Sequence, residues 1–249
     1  MAFTPERPGT RIVSTDRMTL LADVTGRWPL AVQRIRLQTH DVDDAVEAVR
    51  SLMRVTGTTA ASWWLSEHST PATVETDLLA RGMTIVDTDY LIDGMALTTP
   101  PPPAPPGIVA RPVASGAEFV EAVRVQYEAF GTPADRRRTE EEILEEYEQT
   151  RNDRIGTLYA AWIDDRLVAA GRSFFSSRGA LLAGGSTLPE ARGRGAYRAL
   201  VSVRWDDAVS RATPALAVQA GAMSAPILRS LGFVKVCQFR RVHDVASES

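Results

Sequence analysis

The chain has 249 residues, of which 44% are hydrophobic and 24% are charged. These proportions are typical of a globular protein that buries a core, and the length fits one large domain or two small ones. The formal net charge of −3 at pH 7 argues against a general electrostatic attraction to nucleic acid.

Cysteine, histidine and the hydropathy pattern narrow the class further. The single cysteine, Cys237, excludes an intramolecular disulfide and fits a reducing compartment. His40, His68 and His243 lack metal-ligand spacing, so we expect no metal site. No apolar run reaches the ~20 residues of a membrane span, and the N-terminus lacks a signal-peptide core. We therefore expect a cytoplasmic protein without membrane or nucleic-acid partners.

Residues 1–99 alternate strand and helix patterns. Residues 41–54 show an apolar stripe at helical spacing, with Asp41 or Asp43 as candidate caps. Residues 71–81 form a second predicted helix with Gly82 at its C-terminus. Strands are predicted at 28–37, 58–65, 83–86 and 90–97, the last two as a possible hairpin.

The run at 100–106, with sequence PPPPAPP, is the clearest boundary in the chain. Such a run favours a polyproline II conformation and acts as a semi-rigid spacer. We therefore predict an N-terminal domain at 1–99, a linker at 100–106 and a second domain at 107–245.

Residues 107–245 also mix helices and strands. Ser115 and Glu118 predict a capped helix to residue 130, and residues 139–150 predict a strongly acidic helix. Asp164 and Asp165 mark the turn of a predicted hairpin. The other strands are predicted at 108–113, 181–188, 215–218, 233–237 and 239–245, and the other helices at 197–210 and 222–231.

The most informative stretch runs from residue 181 to residue 200 and predicts a strand, a glycine-rich turn and a helix. A helix N-terminus carries free N–H groups and partial positive charge, so it binds phosphate. Gly193 and Gly195 allow close backbone approach. A dinucleotide-binding fingerprint would need a glycine where Arg198 stands, and a nucleoside-triphosphate loop would need a lysine, whereas Lys235 is the only lysine in the chain.

The turn resembles the acyl-CoA site of the GNAT superfamily of N-acyltransferases. The family pattern is Arg/Gln-x-x-Gly-x-Gly/Ala after a strand, and residues 192–197 read RGRGAY. Tyr197 departs from it, since a small residue is usual there. Residues 226–233, PILRSLGF, resemble the helix that ends in Leu-Gly-Phe near the end of the family fold. The resemblance covers about 107–245 and implies the α/β GNAT fold with a mixed sheet.

The resemblance also implies a chemistry. Acetyl-CoA would be the co-substrate, and an amine of a small molecule or protein would attack its acyl carbonyl directly. The strand at 215–218 would splay from the central strand to form a slot for the thioester. The alternative is a GNAT-like protein that binds acyl-CoA or a protein partner without turnover. The implied CoA-binding residues are Gly185, Thr187, Arg192, Gly193, Arg194, Gly195, Ala196 and Tyr197.

No general acid or base is assigned. The usual tyrosine acid of the family falls at Leu228 here, and Ser224 is the nearest hydroxyl on the same helical face. Tyr127, Glu128 and Tyr147 are candidates only because their helices line the acceptor side in the family. The acidic helix at 139–150 could favour a cationic acceptor, although a solvated helix face is the commoner explanation.

The first half resembles part of the second. Residues 58–71 align without a gap on 213–226, with strand on strand and proline on proline. Chance similarity of two β-α units is the alternative. A true repeat would make residues 1–99 a degenerate GNAT-like half. Because that half lacks a turn like the one at 192–197, we predict that it binds no CoA and serves as a structural or acceptor-shaping partner.

Overall fold

The computed structural model describes residues 10–23, 29–85, 91–152 and 156–245, which form a twelve-stranded mixed sheet and six α-helices. The strands are β1 (Thr10–Ser14), β2 (Thr19–Asp23), β3 (Leu30–Gln33), β4 (Ala60–Ser66), β5 (Thr84–Ile85), β6 (Leu91–Leu97), β7 (Ile108–Pro112), β8 (Gly156–Ile163), β9 (Arg166–Ser176), β10 (Gly179–Thr187), β11 (Leu216–Ala220) and β12 (Val234–Val245). The helices are α1 (Val42–Thr56), α2 (Val74–Leu79), α3 (Gly116–Ala129), α4 (Glu140–Thr150), α5 (Ala196–Ser210) and α6 (Ala225–Ser230). The predicted mixed α/β class is confirmed.

Local sequence signals explain the clearest elements. Helix α1 buries the predicted apolar stripe and ends at Gly57, whose φ of 67° is the left-handed conformation that glycine tolerates best. Asp164 and Asp165 both have positive φ, as the tight turn of the β8–β9 hairpin requires. The side chain of Ser115 accepts a hydrogen bond from the backbone N–H of Glu118 and so caps α3.

The order of strands across the sheet is β1-β2-β3-β4-β12-β6-β11-β10-β9-β8-β7, with β5 beside β12. Among the strands of the described ranges, only two neighbouring pairs are parallel, β3 with β4 and β10 with β11. Strand β6 precedes the proline run, yet it lies between β11 and β12, which follow that run. Strand β12 in turn pairs with β4. Each half of the chain therefore places a strand beside a strand of the other half.

The pairing pattern contains the repeat expected from the sequence. Strand β4 has a parallel neighbour, β3, and an antiparallel neighbour, β12, while β11 has β10 and β6 in the same relation. The exchanged strands also complete the opposite cores: Met95 and Leu97 of β6 join the core around α3 and α5, and Val242 of β12 joins the core around α1. The domain division at the proline run stays a prediction, and the sheet continues across it.

Several sequence expectations need correction. Residues 84–85 and 91–97 do not pair with each other as a hairpin, because both pair with β12. The two strands predicted at 233–237 and 239–245 are one strand, interrupted in register between Lys235 and Cys237. Helix α2 is shorter than predicted. Trp28, Val86 and Tyr90, at the ends of predicted strands, lie outside the described residues.

The two faces of the sheet carry different helices. Gly171 of β9 faces α5, since a Cβ there would lie 2.9 Å from an Arg204 side-chain nitrogen. Arg172, the next residue, stacks its guanidinium 5.1 Å from the Phe119 ring of α3. Because neighbouring strand residues point to opposite faces, α3 and α4 cover one face of this half and α5 covers the other.

Candidate functional site

The sheet opens between β10 and β11. These parallel strands pair at three positions, ending with Leu182 opposite Val218, although both strands continue further. Strand β10 also loses register with its other neighbour, β9, between Ala183 and Ser186. Gly184, in this interruption, has a φ of 58°, so the bulge depends on glycine. The resemblance implied that the strand at 215–218 splays from the central strand, whereas residues 216–218 are paired with β10 and the two strands separate only after Val218.

Backbone groups beside the opening already have side-chain partners. Gln126 of α3 donates a 2.7 Å hydrogen bond from its amide nitrogen to the carbonyl oxygen of Gly184. Arg192 donates from Nε to the carbonyl oxygen of Thr187 at 3.3 Å and from Nη2 to that of Ala129 at 3.4 Å. The two polar side chains thus lie along the stretch of β10 that was predicted to pair with a ligand.

The turn after β10 has the geometry that its glycines suggest. A short 3-10 segment at Pro189–Ala191 leads to Arg192 in an extended conformation, and Gly193 and Gly195 have φ of 76° and 94°. Helix α5 begins at Ala196, with Gly195 as its N-cap. The backbone N–H groups of this first turn have no intrahelical acceptors, so they are free to donate to an anion.

The arginines of the turn are partly engaged. Arg194 lies 3.5 Å from Asp164 in the β8–β9 turn, a long ion pair between exposed groups that contributes little. Glu190, in the short 3-10 segment after β10, pairs with Arg166 at 2.6 Å.

Tyr197 packs under the opening. A Cβ at Gly185 would lie 2.8 Å from Cε2 of the Tyr197 ring, so this glycine makes room for the aromatic side chain. The ring is on the α5 face and lies 6.0 Å from the guanidinium of Arg204. Tyr197 is therefore partly buried against β10, at the position where the family pattern has a small residue.

The candidate acid–base residues are mostly occupied by structural contacts. Leu228 is fully buried. Ser224 donates to the carbonyl oxygen of Gly221 at 3.3 Å, and Tyr147 donates to that of Ala114 at 3.3 Å. The Tyr127 hydroxyl oxygen accepts hydrogen bonds from the backbone N–H and Nε of Arg138, both at 3.2 Å.

A charged network on the α3/α4 face was not found from the sequence. Glu146 of α4 accepts a hydrogen bond from Arg138, and its other carboxylate oxygen lies 2.8 Å from Nη2 of Arg172 on β9. Burial lowers the pKa of Arg172, and the charge of Glu146 opposes that effect. Arg138 belongs to a run of three arginines that is visible in the sequence, at 136–138. Arg172 and Gln126 belong to no local pattern that would indicate a place in the site.

The acidic helix does not present a free acidic face. Four of the six glutamates of α4 have a partner: Glu140 pairs with Arg124, Glu142 accepts from the backbone N–H of Thr139, Glu146 joins the network, and Glu148 pairs with Arg151. The interpretation of α4 as an attractor of cations therefore has little support.

Within the described residues, no group of three or more His, Cys, Asp and Glu side chains is placed to hold a metal ion. The helices within the same ranges are too short or too polar to cross a bilayer.

Several solved structures similar to this chain are described as GCN5-related N-acetyltransferases. A GCN5-related N-acetyltransferase from Kribbella flavida matches with a TM-score of 0.71 at 19% identity, covering 96% of this chain and 91% of that one. A GCN5-related N-acetyltransferase from Sphaerobacter thermophilus matches with a TM-score of 0.64 at 17% identity, covering 92% and 80%.

A tandem GNAT protein from the clavulanic acid biosynthesis pathway matches with a TM-score of 0.64 at 16% identity, covering 99% of this chain and 86% of that one. No protein-family model matches the sequence, and no curated protein matches it. The coverage by a tandem protein includes both halves of the sheet. The chain therefore has the fold of the tandem GNAT N-acetyltransferases, as the sequence resemblance implied.

Proposed function

We propose that the protein is an N-acyltransferase that moves an acetyl group from acetyl-CoA to an amine of a small molecule or protein. The observation that carries this proposal is that strand β10 borders the opening in the sheet and is followed directly by the glycine turn. Strand β10 separates from β11 after Leu182 and then leads directly into the glycine turn at the N-terminus of α5. A slot for an extended arm thus adjoins a seat for a phosphate group.

The proposed seating follows from these features. The pyrophosphate would accept hydrogen bonds from the amides of residues 192–197, and the pantetheine arm would run along Gly185 and Thr187. Pairing with the carbonyl of Gly184 would require Gln126 to release its 2.7 Å hydrogen bond. The ring of Tyr197 would form the floor under this part of the arm, because it already packs against Gly185.

In the proposed reaction the neutral amine attacks the thioester carbonyl carbon. A C–N bond forms, the C–S bond breaks, and the electron pair leaves with the sulfur as CoA thiolate. The amine loses one proton, and no residue is assigned to accept it. Thiolate is a tolerable leaving group without a general acid, which is consistent with the leucine at position 228.

The proposal is tested by acetyl-CoA calorimetry with Gly193→Asp and Gly193→Asn. A Cβ at position 193 would meet no atom within 4 Å, and both Asp and Asn tolerate positive φ better than most residues. The two variants have the same shape and differ by one negative charge at the pyrophosphate seat. We expect Asp to weaken binding by about tenfold or more and Asn by only a few fold.

Gly193 makes a sharper test than Gly195. A Cβ at position 195 would lie 2.4 Å from Cγ of Pro105, so Gly195→Asp would disturb the proline run as well as any ligand. Equal affinities of the two Gly193 variants, or no binding by the unchanged protein, would contradict the proposed seat.

A specific observation favours the second candidate function, acyl-CoA binding without turnover. Leu228 stands at the usual position of the acid, and the hydroxyl of Ser224 is engaged by the backbone of Gly221. Release of CoA thiol from acetyl-CoA over a panel of amines separates the two functions. Release that depends on the amine supports the transferase, and binding with no release above background supports the second function.

We also propose that only the second half binds CoA. Helix α1 follows β3 as α5 follows β10, but Asp43 and Asp44 occupy its first turn, where they repel phosphate. In the segment that precedes α1, Nη2 of Arg34 donates to the Ser14 hydroxyl, and the Asp41 carboxylate accepts from the backbone N–H of Gln38.

A cytoplasmic location stays a prediction.

A further inference from the structure

A positively charged cluster lies next to the opening of the sheet, on the face covered by α3 and α4. It consists of Arg138, Glu146 and Arg172, joined through the two oxygens of the Glu146 carboxylate. Each of these side chains keeps a fifth to a quarter of its surface exposed. The cluster is thus reachable by a small molecule and is also partly desolvated, which strengthens its electrostatic interactions.

The cluster has an uncompensated positive charge. Each oxygen of the Glu146 carboxylate is engaged by a different arginine, so two guanidinium groups share one negative charge. The adjoining cleft of about 340 Å³ adds two arginines, Arg124 and Arg137, and two glutamates, Glu128 and Glu140, so the surplus of one positive charge remains.

The cluster is close to the proposed reaction centre. Arg172 is the register partner of Ala183, the last paired residue before the interruption in β10. From the other side, α3 reaches the same place through Gln126, whose amide contacts the Gly184 carbonyl. Tyr127, the next residue of α3, lines the cleft and contacts Arg138. An acceptor placed with its amine at the opening would therefore extend toward the two arginines.

We propose that the acceptor carries a carboxylate in addition to its amine, and that Arg138 and Arg172 bind this carboxylate. A planar guanidinium matches a carboxylate through paired N–H···O bonds, and a single surplus charge matches a monoanion. This inference rests on the proposed function, because it names the acceptor class of the same site. It assigns the two arginines a binding role in addition to their tie between α4 and β9.

The test is a calorimetric comparison of paired probes that differ only in the carboxylate. The probes are the N-acetyl derivatives of leucine, glutamine and phenylalanine, as free acids and as carboxamides, titrated into the full chain. We expect the best free acid to bind at least about tenfold more tightly than its carboxamide. Arg172→Gln and Arg138→Gln should each reduce that preference to less than about threefold.

Arg178→Gln is the matched control. Arg178 is exposed in the β9–β10 turn, and its replacement changes the net charge by the same amount. It lies six residues from Arg172, roughly 20 Å along the strand. The preference for the free acid should survive this substitution, and thermal unfolding of each variant shows whether the fold is retained.

Several results would overturn the inference: equal binding of acids and carboxamides, no binding of any probe at about 10 mM, or a preference that both glutamine variants keep. A purely structural network predicts the first of these, with a loss of stability in the variants. The acetyl-CoA titration is independent of this test. Acetyl-CoA binding without a carboxylate preference removes the inference alone. A carboxylate preference without acetyl-CoA binding removes the transferase, and with it the acceptor role, and leaves only a carboxylate-binding site.

Discussion

Replacement of Arg204 by methionine is expected to stabilise the protein. Arg204 lies on α5 and is fully buried. Its Nε donates a 2.8 Å hydrogen bond to the carbonyl oxygen of Leu200, but among the described residues Nη1 and Nη2 have no well-formed hydrogen bond beyond a weak interaction with the Tyr197 hydroxyl. Burial lowers the pKa of the guanidinium, while Tyr197 and Tyr159 oppose that effect. An arginine nevertheless stays charged at neutral pH, so the core contains a cation without a carboxylate partner.

The expected magnitude follows from the cost of that burial. Removing a charge of this size from water costs several kcal/mol, and apolar replacement of poorly compensated buried ions raises stability by about 1–4 kcal/mol. Methionine keeps most of the volume of the side chain and is flexible enough to fill the gap against Gly171. In a chain of this length each kcal/mol moves the unfolding midpoint by about 2–4 °C, so a gain of about 2 kcal/mol corresponds to roughly 4–8 °C.

The assay is thermal and urea unfolding of Arg204→Met beside Arg198→Met. Arg198 is exposed on the same helix, so its replacement should leave the midpoint nearly unchanged. A loss of more than about 2 kcal/mol in Arg204→Met, with Arg198→Met unaffected, would refute the reasoning. It would mean that the two terminal nitrogens have a partner in solution, such as ordered water, which the substitution leaves unsatisfied.

Two further predictions concern acid stability and the linker. Hydrogen bonds from Arg111, at 2.7 and 2.9 Å, lower the pKa of Glu118 from its usual 4.5 to about 2. The ionised Glu118 therefore contributes fully to the free energy of unfolding above pH 4.5, and this contribution is lost as the pH falls toward 2. Urea unfolding of Glu118→Gln should lack this loss, which is at most about 3 kcal/mol and smaller because Arg111 is half-exposed. Cleavage at a protease site built into residues 100–104 should leave one particle in gel filtration, because β6 stays paired with β11 and β12; two separately eluting pieces would contradict this.

Elements whose signals are local were predictable from the sequence. The turn of β8–β9 required two consecutive residues that accept positive φ, and the chain has Asp164 and Asp165 there. The glycines at 193 and 195 likewise marked the turn before α5, which begins at residue 196 where the sequence predicted 197. In both cases the backbone conformation itself restricts which residue is allowed, so the residue reveals the conformation.

The pairing of distant strands was not predictable in this way. Hydrophobic alternation identified residues 91–97 as a strand, but alternation does not say which strands are its neighbours. The proline run suggested that the two halves fold separately, whereas β6 and β12 exchange places across it. The same limit applies to the site: Gln126 and Gly184 are 58 residues apart, and only the packing of α3 on β10 brings them together.

The exchange of strands explains how the first half can affect a site to which it contributes no phosphate turn. Strand β11 separates from β10 on one side, so its position depends on its other neighbour, and that neighbour is β6 along all five residues of β11. The buried carboxylate of Asp93 on β6 lies 2.7 Å from Arg229 of α6 and 2.8 Å from Lys235 of β12. The hydrogen bond from Lys235 keeps the pKa of Asp93 below its usual range, so these contacts persist at neutral pH. The first half thus fixes one wall of the opening through β6, which gives it a structural role at the site even though it lacks a turn like the one at 192–197.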